Sequence, residues 1–136
     1  MTRARIDKLT SRLTARLKNL NWSHEALYLG LRARFRCEYC GRSLLRSIEN
    51  HDTWCNDHVL PKSRGGSDDF RRNKALSCRL CNRLKRNSVP RGAGASVDRE
   101  TLLTMFRPLI NDRRKTMRRN LAVFRRALDE LRISYS

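Results

Sequence analysis

Apolar residues over 3–20 recur at spacings of three and four: Ile6, Leu9, Leu13, Leu17 and Leu20. That period predicts an amphipathic helix, with Arg3, Arg5, Lys8, Arg12, Arg16 and Lys18 mostly off the stripe. Residues 19–22 break the pattern, and Ser23 is placed to cap a second helix over about 24–34. Trp22 is expected to anchor the core. The period then shortens. Residues 53–58 contain a β-branched residue and a Trp and predict a strand, and residues 74–77 predict another. Between them lie Pro61, Gly65 and Gly66, which rule out regular structure throughout 59–72. A helix is expected over 79–87, and 88–95 (SVPRGAGA) reads as a linker. Beyond it, with a cap at Asp98 or Ser96, Leu102, Leu103, Phe106, Leu109 and Ile110 form one helical face. Pro108 is expected to kink or restart that helix. Met117, Leu121, Phe124, Leu128 and Leu131 then step by four, three, four and three, a short coiled-coil-like seam expected to pack on its own chain.

These elements predict an α+β protein: a small two-strand and helix core at 37–87, N-terminal basic helices at 1–36, a linker at 88–97 and a C-terminal basic helical extension at 98–136. At 136 residues and 39% hydrophobic content the core is modest, and a module this small calls for a staple. No apolar run is long enough to span a membrane.

Charge narrows the partner. The chain carries 31 Lys+Arg against 13 Asp+Glu, a net +18, distributed over all three parts of the sequence. A field of one sign throughout points to a polyanion. Arg outnumbers Lys, which suits forked phosphate contacts. Aromatic content is only 7%, and no helix pairs a Trp/Phe face with a Lys/Arg face, which disfavours a membrane surface.

The cysteines supply the staple. Cys37/Cys40 and Cys78/Cys81 form Cys-x2-Cys-x37-Cys-x2-Cys, with Gly41 closing the first knuckle. Four thiolates at two knuckles suit a closed, structural Zn²⁺ site. Five cysteines in this arrangement argue against a secreted disulfide framework and for a reducing, cytoplasmic setting. Cys55 is left over, expected as a small buried apolar side chain. Asp57-His58 ends the first predicted strand, ahead of the Pro/Gly loop.

DHVLPKSRGGS, Asn73 and CRLCNRLK, in that order and between the cysteine pairs, resemble the HNH endonuclease family and its ββα-metal fold. The resemblance covers about 37–87. It implies His58 as the general base for water, a role imidazole suits because it exchanges protons near neutral pH. It implies Asp57 as a ligand of a catalytic divalent metal and Asn73 as the residue that orients loop and base. Asn82 stands where the family name requires its last His, so the chain reads His-Asn-Asn. An amide oxygen is a hard donor, so Asp57 with Asn82 favours Mg²⁺ or Mn²⁺ over softer ions.

The function this implies is metal-dependent hydrolysis of phosphodiester bonds in DNA; the pattern does not separate DNA from RNA. Arg64, Lys74, Lys85, Arg113, Arg114, Arg118 and Arg119 are the candidate phosphate contacts. A zinc-knuckle module that binds nucleic acid or an assembly without cutting is the alternative, as is a nuclease subunit aimed by a larger complex. The Asp-His pair favours the catalytic readings, since a pure binder needs only cysteines and arginines.

Overall fold

The computed structural model describes all 136 residues. Helix α1 (Arg3–Arg16) is capped by the Thr2 side chain, which accepts from the Arg5 amide. It buries Ile6 and Thr10, and the Thr10 hydroxyl is satisfied by the Ile6 carbonyl at 2.7 Å. Ser23 caps α2 (His24–Arg32) through the Ala26 amide. α2 buries Ala26 to Gly30.

The centre is a hairpin and a helix. Strand β1 (Trp54–His58) pairs antiparallel with β2 (Lys74–Cys78), placing Asp57 opposite Ala75 and His58 opposite Lys74. Helix α5 (Arg79–Lys85) follows β2 without a break, its first turn capped by the Cys78 sulfur. Two short helices lie in stretches that the sequence pattern leaves irregular. α3 (Ile48–Asp52) is capped by Ser47 and α4 (Phe70–Asn73) by Asp69. Each is a turn or so long, too short to display a helical period.

Helix α6 (Arg99–Glu130) is capped by Asp98 and runs unbroken for 32 residues. The expected restart at Pro108 is therefore incorrect. Leu102, Leu103, Phe106 and Ile110 are all buried around the proline, and their packing outweighs one lost backbone hydrogen bond. The expected packing of the seam is also incorrect. Met117, Leu121, Phe124 and Leu131 are exposed, because α6 overruns the body it packs on after its first three to four turns.

One hydrophobic core contains Ile6 of α1, Tyr28 and Leu29 of α2, Val59 and Leu60, Ala75 and Leu76 of β2, Leu84 of α5 and the first apolar face of α6. Val89, Ala93 and Val97 of the connecting segment pack against it. Glu38 completes the sheet edge: its amide donates to the Leu76 carbonyl and its carboxylate accepts from the Leu76 amide, both at 2.8 Å. Trp22 is half-buried rather than central, packed at a tilt against Trp54 at 4.7 Å and His51 at 5.2 Å between ring centres. Cys55 is likewise half-buried on β1, not in the core.

Candidate active site and metal centre

The four paired cysteines converge. Their sulfurs all lie within 4.8 Å of one another, three of them on buried residues and Cys40 on an exposed one. The first knuckle turns at Gly41, whose φ of +78° favours glycine. The second is the β2–α5 junction. Crowding separates the thiols: hydrogen bonds from neighbouring cysteines hold Cys78 low and Cys40 down at about 6, while Cys37 and Cys81 are pushed up. A donor set of four clustered sulfurs fits a tetrahedral metal ion with no open position. Arg114 donates to the Cys81 sulfur at 2.8 Å, bringing positive charge to the cluster.

The second centre lies along β1 and α5. Asn56, Asp57, His58, Pro61, Lys62, Ser63, Asn82, Lys85, Arg86 and Asn87 line one cleft of about 600 Å³, polar throughout except for Pro61. The strand and helix thus bring Asp57, His58 and Asn82 to the same opening. Asp57 is 8% exposed. The Tyr39 hydroxyl donates to its Oδ2 at 2.5 Å, and Lys85 Nζ sits 3.1 Å from Oδ2 and 3.4 Å from Oδ1. Burial pushes the Asp57 carboxyl up and the Lys85 ammonium down, and each charge partly restores the other. Lys85 also donates to the His58 carbonyl at 2.6 Å and lies over the Phe106 ring. It is a buried strut, not a solvent-facing cation.

His58 Nε2 lies 3.0 Å from Asp68 Oδ1, and Asp68 Oδ2 lies 2.8 Å from Lys62 Nζ. Those two partners hold the Asp68 carboxyl below its usual range, Lys62 more strongly. A carboxylate only accepts, so Nε2 donates the proton in this contact, which makes Nδ1 the lone-pair nitrogen of the neutral ring form. Asp68 is the residue that sequence reasoning missed. An acid within the Ser-Asp-Asp of a polar loop carries no local sign that it reaches ten residues back.

Asn73 is buried behind the loop rather than in the cleft. Its Oδ1 accepts from the Leu60 amide, and its Nδ2 donates to the Leu60 and Ser67 carbonyls, all at 2.9 Å. Gly66 lets the loop close on this amide, since a Cβ there would stand 1.8 Å from the Leu60 carbonyl oxygen.

Several candidate phosphate contacts are occupied by protein. Lys74 pairs with Glu25, and Arg113 donates to the Leu84 and Lys85 carbonyls and the Ser88 hydroxyl, closing the C-terminus of α5. With Lys85 and Arg114 engaged as described, these four do not present free cations, because partners on neighbouring elements claim them first. Arg64, Arg118 and Arg119 are exposed. Arg42 and Arg107 join Arg114 and Arg118 in lining a groove of about 620 Å³ beside Cys40.

Residues 37–88 match the family model for HNH endonuclease. This segment is an HNH domain. No curated protein and no solved structure matches the chain. The match supports a nuclease-type function in general terms, and the hairpin, the helix and a cysteine cluster that could hold a metal ion form the α+β core that the sequence predicts. Asp57 and Asn82 offer hard oxygen donors. Tyr39 and Lys85 leave acceptor capacity on the Asp57 carboxylate, and oxygen donors of this kind suit a hard divalent cation. No helix is long and apolar enough to cross a membrane.

Proposed function

We propose that the protein is a DNA endonuclease that hydrolyses phosphodiester bonds, with Zn²⁺ at the four cysteines and Mg²⁺ or Mn²⁺ at the cleft. The observation that carries the proposal is the convergence of Asp57, His58 and Asn82 on one polar cleft inside the HNH segment. His58 is the general base. Asp68 fixes its tautomer and aim, so Nδ1 takes the proton from the attacking water. Asp57 and Asn82 would hold the catalytic cation, which supplies charge neutralisation for the phosphate and the leaving oxygen. Asn73 positions the loop that carries Asp68. Arg64, Arg118 and Arg119, with Arg42 and Arg107, provide the positive surface for the backbone.

A second reading rests on Lys85. An ammonium already compensates Asp57, which suits a module that binds nucleic acid without cutting it. Incubating the purified chain with supercoiled plasmid in Mg²⁺, Mn²⁺ or EDTA separates the two. Nicked or linear product that requires metal supports the nuclease. Retarded but intact plasmid under every condition supports the binder.

A further inference from the structure

The outer part of α6 is an apolar surface with nothing on it. Met117, Leu121, Phe124 and Leu131 are between 43% and 70% exposed, and Val123 adds 63%. In heptad terms they take the d, a, d and d positions, with the half-buried Leu128 at the remaining a. The stripe continues the face that Phe106 and Ile110 bury lower on the same helix. The buried part of α6 nucleates this extension, but with nothing packed along the stripe it gains no tertiary stabilisation of its own, which a partner on that face would supply.

The borders of the stripe say what that partner is. Arg118 and Arg125 follow its d positions, where helix partners place their pairing charges, while Asn120 and Ala127 precede its a positions. The acids of the segment, Asp112, Asp129 and Glu130, lie off the seam. A second copy is a poor occupant. Antiparallel pairing sets Arg118 and Arg125 against their own equivalents. Parallel pairing faces them with Asn and Ala, and aligns two segments that each carry seven basic and three acidic side chains over 111–131. We propose that this overhang docks an amphipathic helix of another protein, apolar on one face and bordered by Glu or Asp. The arginines steer and select, and the leucines and Phe124 provide the buried contact. The apolar stripe lies outside the cleft, and Arg118 alone is shared with the positive surface proposed for the nucleic-acid backbone.

The test uses the full chain and two synthetic three-heptad helices. Both have Leu at a and d; one has Glu at every e and g position and the other Lys. By fluorescence anisotropy the Glu peptide should bind at least about tenfold more tightly than the Lys peptide. The Leu121→Ala/Phe124→Ala variant keeps all charges and good helix propensity. It should lose that binding while circular dichroism reports unchanged helix content. Arg118→Glu with Arg125→Glu should reverse the preference between the peptides. Equal binding of both peptides, no binding of either, or an unchanged preference after the charge swap would overturn the proposal. So would a peptide-free dimer in sedimentation equilibrium that the Leu121→Ala/Phe124→Ala change dissolves.

Discussion

Lys85 is where the residue scale departs most from the sequence pattern. A lysine on a basic helix reads as a phosphate contact, yet here it is 1% exposed and joins Asp57, the His58 carbonyl and the Phe106 ring. Removing one partner of a buried pair strands the other charge. Lys85→Met should therefore cost about 3–5 kcal/mol in urea or guanidinium unfolding. A surface phosphate contact would leave stability unchanged. Asp68 differs in kind. It is exposed, and its task is to hold one proton of His58. Asp68→Asn should leave the unfolding midpoint in place and lower kcat by part of the roughly 10²–10⁴-fold that a general base supplies. A rise in KM with kcat unchanged would assign Asp68 to substrate binding instead. Asp57, His58 and Asn82 were legible as site candidates because their motif segments occur in order between and at the cysteine pairs. Tyr39, Asp68 and the Lys85 strut were not, because each acts across the fold on a residue between 10 and 28 positions away.

At the scale of elements, patterns of sufficient length were readable. The hairpin, α5 and the N-terminal halves of α1 and α6 follow from period and capping residues, and Ser23 and Asp98 cap as their chemistry predicts. α3 and α4 escaped because a five- or four-residue helix cannot show a period. The α6 seam was read correctly as helical and apolar but wrongly as packed, since periodicity records a face and not what covers it. The consequence is measurable. Amide hydrogen exchange should protect 102–111, which the core holds, and be orders of magnitude faster over 117–130 in the chain alone. Uniform protection along α6 would mean that the outer half is held in solution.

At the scale of the whole molecule, a small core is drawn together at one cluster of four cysteines. Cys37 and Cys40 enter from a loop, Cys78 and Cys81 from the β2–α5 junction, so an ion held by them would close a loop around the hairpin and the cleft. Structural metal binding is folding free energy. Cys78→Ser, or a strong chelator, should therefore abolish the cooperative unfolding transition and cleavage together, whereas EDTA at levels that strip only a weakly held cation should stop cleavage alone. A thermal melt with and without chelator checks this. On the proposed function, the cleft between β1 and α5 cuts with His58 as base. The direct measurement is the single-turnover cleavage rate of an end-labelled duplex by wild type and His58→Ala in Mg²⁺, with duplex affinity determined on the same samples. Removing the base should cost at least about 10²-fold in rate at unchanged affinity. Equal rates for the two proteins would contradict it.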